Sequence, residues 1–401
     1  MRAERLRARL VQRMWVSGAV HHAEIAAAFR TVPREVFLPG MDLVTAYTDD
    51  ALVTARDEDG RPISSSSQPS MMAIMLEQLS LRPGHRVLEI GAGTGYNAAV
   101  LAELVGSEGL VVSMDLDEEI VRAAGDHLAA CGYPDVRVIH GDGAEGYAGG
   151  APYDRIIATV GVPDIAPSWR SQLTVGGRLV VPLDLRGPQC SVAFLRNGDH
   201  LSSLSVTGCG FMRLRGPSAG VEQRYVLDSA RTLRLSEPRQ LHVDGVRHAL
   251  RSASIDVHST APVTAKELFG GLGLWLAVME PEIVMITENE DVDEPRLAQG
   301  RTTADGASVA PALLDTDGIA VLLACGRRRL LARAFGPSGE SLAERLLWQV
   351  QDWDAHGRPS SEDMHIDAYP AGAPVAGQVM EKPASRLVIT WPGADRTTAG
   401  Y

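Results

Sequence analysis

The sequence predicts an α/β protein, a parallel sheet flanked by helices, followed by a second, smaller α+β domain. Three observations carry this reading. Between residues 86 and 183, short apolar runs alternate with helix-length amphipathic segments, the pattern of strands laid side by side through crossover helices. A glycine-rich turn closes the first of these runs. After residue 216 the alternation stops, and strand-like segments follow one another with few helices between them.

The composition narrows the function before any motif is read. The 401 residues suffice for two domains of ordinary size, and 45% hydrophobic with 22% charged residues suits a globular chain. No apolar stretch has the length needed to cross a bilayer, so no membrane partner is expected. The start, "MRAERLRARLVQRMW", is charged and helical rather than a charged tip followed by an apolar run, which points to a cytoplasmic protein. A net charge of −12 would repel a phosphate backbone, so no nucleic-acid partner is expected. The compact basic run Arg327-Arg328-Arg329 sits between apolar segments and reads as a hairpin turn. Cys131, Cys190, Cys209 and Cys325 are scattered without a CxxC pair, and the adjacent His21 and His22 point in different directions on a helix. Neither disulfides nor a metal site is expected.

Taken in order, residues 1–30 carry helical periodicity, which the prolines of "TVPREVFLPG" break. "SSSSQPSMMAIMLEQL" (Ser64 to Leu79) leads four serines into an amphipathic helix with Met71, Met72, Ile74, Met75 and Leu79 at helical spacing. The serines could be a slack linker or a run of hydroxyls and amides beside a reactive centre. Their junction with a helix N-terminus, where free N–H groups point outward, argues for the second. "RVLEI" is the first strand of the alternating region, "GAGTG" its turn and "YNAAVLAELV" its helix. "LVVSMD", "VRVIHGD", "YDRIIATVG" and "GRLVVPL" are the next four strands, and "SVAFLR" with "LSSLSVTG" reads as an antiparallel pair at the sheet edge. Beyond Gly216, "RTLRLSEPRQLHV" and "SASIDVHST" look like strands, "TAKELFGGLGLWLAVME" like one helix, and "EIVMITENEDVDEP" like a strand entering an acidic loop. "GIAVLLACGRRRLLARAF" reads as a hairpin. The helix from Leu342 to Ala355 has an apolar stripe of Leu342, Leu346, Leu347, Val350 and Trp353, with Ser341 and Glu344 as a capping box, and "RLVITW" closes the second domain.

The chemistry concentrates at the glycine turn. Gly91, Gly93 and Gly95 let a ligand approach the backbone and open a helix N-terminus toward it. The spacing differs from the dinucleotide GxGxxG. Asp115 ends the next strand, where a carboxylate can hold both hydroxyls of a ribose, and Asp142 ends the third, where it could receive an adenine amino group. Glu89 precedes the turn and could hydrogen-bond within it. The set fits S-adenosyl-L-methionine in a class I, Rossmann-like methyltransferase fold.

"VPREVFLPG", "AYTDDAL", "SSQPSMMAIMLEQL", "VLEIGAGTGYNAAVLA", "HGDGAEGY" and "YDRIIATVGVPDIAPSWRSQLTVGGRLVVPL" together resemble the protein-L-isoaspartate O-methyltransferases, over roughly residues 5–215 and in the same order. The resemblance implies that Ser67 is the active-site serine. It also implies that Ser64, Ser65, Ser66, Ser67 and Gln68 border the cofactor, as do Leu116 beside Asp115 and Gly143 beside Asp142. Ser65 and Ser66 stand where threonine and isoleucine are usual, and Asn97 replaces a common glutamine, changes that bear on the substrate pocket rather than on the cofactor. The reaction asks little of side chains. A carboxylate is already ionised at pH 7 and is itself the nucleophile, so the enzyme has chiefly to align it. The resulting ester is attacked by the following backbone nitrogen, methanol leaves, and the succinimide reopens largely to isoaspartate.

Residues 216–401 form an extension that we expect to be an α+β peptide-recognition domain. "CGFMRLRG", "WLAVMEPEIVMITE" and "QVMEKPASRLVITWPG" resemble a longer branch of the family found beside gene clusters for ribosomally made, modified peptides. That resemblance implies a partner: an aspartate of a lanthipeptide, lasso peptide or graspetide, in most cases macrocyclic. Repair of isoaspartyl proteins is the alternative within the same class, and a non-catalytic peptide-binding scaffold is the alternative outside it.

Overall fold

The computed structural model describes residues 2–220, 222–289, 297–298, 301–302, 307–326 and 329–391. The chain divides into two compact units, one of Met1–Leu183, Gln189–Ala219 and Ile366–Val388, the other of Asp184–Pro188, Gly220–His365 and Ile389–Tyr401.

The first unit opens with helices α1 (Arg2–Val16), α2 (Ala23–Thr31) and the single turn α3 (Leu43–Ala46), then a hairpin of β1 (Leu52–Arg56) and β2 (Pro62–Ser66). Helix α4 (Pro69–Leu79) begins with proline at its first turn, where the missing N–H costs nothing. Asp49 reaches across to accept the Ser70 N–H (2.8 Å) and hydroxyl (2.6 Å), satisfying an orphan donor of that turn. The alternating region follows as β3 (Arg86–Ile90), α5 (Tyr96–Val105), β4 (Leu110–Asp115), α6 (Glu118–Ala130), β5 (Arg137–His140), β6 (Tyr153–Ala158), α7 (Pro167–Gln172), β7 (Leu173–Asp184), β8 (Gln189–Asn197) and β9 (His200–Cys209). Strands β3 to β7 pair in parallel. After its first residue β3 is buried throughout, as expected of a strand covered on both faces. A core including Leu10, Met14, Phe29, Phe37, Leu76 and Leu101 joins the N-terminal helices to α4 and α5.

The second unit contains β10 (Gln223–Val226), β11 (Arg231–Leu235), α8 (Val243–Ala249), β12 (Ile255–His258), α9 (Ala265–Phe269), α10 (Gly271–Met279), β13 (Val284–Glu288), β14 (Arg301–Thr302), β15 (Ser308–Leu314), β16 (Ile319–Ala324), β17 (Leu330–Phe335) and α11 (Gly339–Ala355). Its strands form an antiparallel sheet in the order β10-β11-β13-β15-β16-β17-β12, with β14 against β15. Leu233, Val246, Ile286, Ala312 and Val321 belong to its own core. The expected hairpin is β16–β17; the acidic loop at 290–296 and Arg327-Arg328 lie outside the described residues.

The extension is not one continuous domain. Strands β18 (His365–Pro370), β19 (Val379–Glu381) and β20 (Ser385–Thr390) return to the first sheet, whose order is β19-β20-β18-β9-β8-β7-β6-β3-β4-β5. The β8–β9 pair therefore lies inside the sheet rather than at its edge. Side chains fasten the return: Ser203 Oγ accepts the Ile366 N–H (2.9 Å), the Ser202 hydroxyl donates to Asp367, and Asp164 accepts the Ala384 N–H and the Ser385 hydroxyl. "RLVITW" thus supplies a strand of the first sheet.

Smaller expectations also change. "QLHV" runs into α8 instead of continuing a strand. The single helix expected over 264–280 is two, because Gly270 (φ −100°, ψ −112°) leaves helical geometry between α9 and α10. Helix α11 starts earlier than Leu342, with Ser338 at the N-cap position, so Ser341 lies within its first turn and donates to the Ser338 carbonyl (2.8 Å) rather than capping with Glu344. Its buried stripe is the one expected. A capping box forms instead at α9, between Thr264 and Glu267. No described helix is long and apolar enough to cross a membrane. The His22 ring pairs with Glu77, and no disulfide joins the four cysteines.

Candidate active site

The turn after β3 is shaped by its glycines. Gly91 has φ +98°, and a Cβ there would come within 2.7 Å of Thr159 Oγ1 and 3.0 Å of Val160 Cγ1. Only glycine satisfies both conditions. Gly93 has φ +52°, and a Cβ there would meet the Ser65 carbonyl at 3.4 Å and Ser64 Oγ at 3.8 Å. The serine strand therefore rests against the glycine turn.

The strand alternation sorts the serines. Ser64 and Ser66 are buried, Ser64 accepting the Thr54 hydroxyl (3.1 Å) and Ser66 Oγ accepting Arg34 (3.2 Å). The hydroxyls of Ser65 and Ser67 pair with no described residue and stay available. Gln68 caps nothing with its side chain and leans toward Asp49 (3.4 Å). Beneath the run lies Arg34, fully buried, a residue the sequence reading missed. Its guanidinium donates to the carbonyls of Thr48 (3.2 Å), Asp50 (3.3 Å), Ser66 (3.4 Å) and Ser67 (3.1 Å), and stands 5.7 Å from the Tyr96 ring centre. Burial lowers its pKa, yet an arginine remains charged at any working pH. The signal for it was the charged pair Arg34-Glu35 inside the mostly apolar "VPREVFLPG".

Asp115 and Asp142 stand at the ends of adjacent parallel strands. Asp115 accepts the Gly93 N–H (3.1 Å) and the Asp117 N–H (3.3 Å), so it braces the turn from the neighbouring strand. Asp142 accepts the Ala144 N–H (2.9 Å). The Leu116 carbonyl is held by the His140 ring (3.0 Å), and Gly143 packs so tightly that a Cβ would approach Ile90 Cγ2 at 2.4 Å. Over these groups lies a segment the sequence reading left without a role. Arg215 Nη2 is 3.8 Å from Asp115 Oδ1, Ser218 Oγ is 3.4 Å from Asp142 Oδ2, and Gly216 faces Leu116. The signal for it was "CGFMRLRG".

Glu89 faces the other way. It is fully buried and accepts the Asn97 amide (2.7 Å) and the Ser113 hydroxyl (2.6 Å), so it supports the turn from below. Burial pushes its carboxyl up to about 7, against the help of those two donors. The Asn97 Oδ1 beside it is buried without a partner.

A glycine cradle, two carboxylates at the ends of neighbouring strands and a serine strand with free hydroxyls fit a nucleoside-bearing cofactor. Fold and site define a class I S-adenosylmethionine-dependent methyltransferase. The family described as "Protein-L-isoaspartate(D-aspartate) O-methyltransferase (PCMT)" matches residues 5–218. The protein-L-isoaspartate O-methyltransferase of Methanopyrus kandleri is 44% identical over 186 residues, 46% of this chain and 80% of that one. That of Methanothermobacter thermautotrophicus is 40% identical over 212 residues, 52% of this chain and 95% of that one. A solved protein-L-isoaspartate O-methyltransferase structure aligns with 96% of this chain and 99% of its own at a TM-score of 0.54 and 25% identity. The chain belongs to the protein-L-isoaspartate(D-aspartate) O-methyltransferase family and is an S-adenosylmethionine-dependent carboxyl O-methyltransferase.

Proposed function

We propose that this enzyme esterifies an aspartate side chain in a ribosomally made, constrained peptide, leading through succinimide to isoaspartate. The observation that carries the carboxylate chemistry is the serine strand: Ser65, whose carbonyl lies against the glycine turn, and Ser67 keep free hydroxyls, while Arg34 holds the Ser66 and Ser67 carbonyls. S-adenosylmethionine, when bound, supplies the electrophilic methyl group. The chain's own part is to hold the carboxylate in line, with Ser67 and neighbouring N–H groups on its oxygens, and no proton has to be removed. The second unit, with its own core beyond the family-matched residues, supports a dedicated peptide partner, because a preordered ring loses less entropy when it docks.

A second reading is repair of isoaspartyl residues in damaged proteins. The full-length alignment with a solved protein-L-isoaspartate O-methyltransferase favours it, since a chain of that name shares the longer architecture. Competition between a linear isoaspartyl peptide and an aspartyl macrolactam of equal length separates the two. Preference for the macrolactam in kcat/KM supports the first reading, and preference for the linear isoaspartyl peptide replaces it with the second.

A further inference from the structure

The returning strands do more than widen the sheet. Between β18, α7 and the turn joining β8 to β9 lies a cavity of about 570 Å³, within the usual range for small-ligand sites. It shares no residue with the cofactor cleft. Two guanidinium groups, Arg170 and Arg196, line it. Arg170 Nη1 donates to the carbonyls of Asp199 (3.0 Å) and Ala368 (3.4 Å), while Arg196 donates to those of Gly198 (3.0 Å) and Leu173. All four acceptors are neutral. Arg170 Nη2 is buried without a partner, and burial, with Arg196 nearby, disfavours the charge of Arg170. Asp164, whose charge also acts on Arg170, is already occupied by the Ile165 and Ala384 N–H groups and the Ser385 hydroxyl.

The rest of the lining defines what could answer these cations. The His200 ring stacks on Tyr369 (5.1 Å between centres, 13° between planes), and neither the Tyr369 hydroxyl nor a His200 ring nitrogen bonds a described residue. Pro370, Ala373 and Ala384 form an apolar wall. A planar two-oxygen anion matches guanidinium donors in geometry and charge. The exposed Asp199 on the rim opposes a dianion such as phosphate, and the apolar wall suits carbon attached to the charged group.

We propose that this pocket is a second binding site of the first unit, one that takes a peptide carboxylate together with the apolar residue beside it. The carboxylate could be a C-terminus or an acidic side chain, since both present the same group. The site does not depend on which aspartyl peptide is methylated.

Calorimetric titration of the full-length protein tests it with three probes: N-acetyl-Ala-Phe as the free acid, the same peptide as its amide, and N-acetyl-Asp-Phe amide. At least one carboxylate-bearing probe should bind ten times or more tighter than the plain amide, and the tighter of the two identifies the source. Ala373→Trp, which fills the cavity from its wall, should abolish that binding while S-adenosylhomocysteine still binds normally. Arg196→Gln should weaken it at least tenfold. Equal binding of acid and amide, no binding of either acid at millimolar concentration, or unchanged affinity in Ala373→Trp would overturn the proposal.

Discussion

Arg34 shows how one buried side chain can hold a site from beneath. Its fork spans carbonyls on both the 48–50 segment and the serine strand, each left without that donor if the guanidinium is removed. An unsatisfied buried acceptor costs about 1–3 kcal/mol. Arg34→Met should therefore lower the urea midpoint and reduce kcat at least tenfold, with little change in S-adenosylhomocysteine affinity. Arg34→Lys should restore little, because a point charge cannot bridge the two segments. Wild-type turnover in Arg34→Met would show that the serine strand holds itself. Asp115 braces Gly93 and, in the function proposed above, also takes the ribose, so Asp115→Ala should weaken S-adenosylhomocysteine binding by one to several decades, at about 1.5–3 kcal/mol per charge-assisted bond. An unchanged calorimetric affinity would remove it from the site. Glu89 governs a pH dependence. Its carboxyl is raised from an ordinary 4.5 to about 7, so between those values the folded protein keeps a proton that the unfolded chain has lost. Stability then falls as pH rises through that window and levels off above it. At about 1.4 kcal/mol per pKa unit the loss is on the order of 3 kcal/mol. Glu89→Gln should flatten the fall in urea midpoint between pH 5 and pH 8; an equally steep fall would place its origin elsewhere.

At the scale of elements, the decisive feature is β9 and what covers it. Without β18 its outer edge would present unpaired N–H and C=O groups, together with Leu201, which is buried in the complete sheet. A chain ending at Ala219 should therefore self-associate at tens of micromolar in sedimentation runs, where the full chain stays at its own state. A shortened chain that sediments like an isolated first unit would show that β9 needs no cover. The same feature explains what could be read in advance. The glycine turn, Asp115 and Asp142 were legible because strand, turn and helix follow one another within a few residues, and apolar periodicity reports such local order. The partner of β9, β18, lies more than 150 residues further along, and no local pattern in it or in "RLVITW" says which sheet will take them. Arg34 and Arg215 were missed for a related reason, since each acts on residues distant in sequence. The capping box was misplaced because serine followed by glutamate recurs by chance, whereas packing of Gly339 against Ala334 sets where α11 begins.

At the scale of the whole molecule, the two units have separate cores, and the glycine turn, Asp115 and Asp142 lie in the first. Scanning calorimetry should show two transitions, with S-adenosylhomocysteine raising one of them by the equivalent of about 2.7 kcal/mol at a hundredfold excess over Kd. A single transition that shifts as a whole would mean that the units unfold together. The returning strands also impose an order on synthesis. The partners of Ser202, Ser203 and Asp164 leave the ribosome only after residues 220–365 have been made, Ala384 meeting Asp164 across 220 positions of chain. While the second unit is being made, the first must wait with its sheet open at β9, a state in which nascent chains of neighbouring ribosomes can pair edge to edge. Closure over so long a loop is slow compared with the local pairing of β3 to β8. Translation speed through residues 220–365 therefore sets how long that open edge persists, and slow codons there would lower the yield of active enzyme without changing a single amino acid.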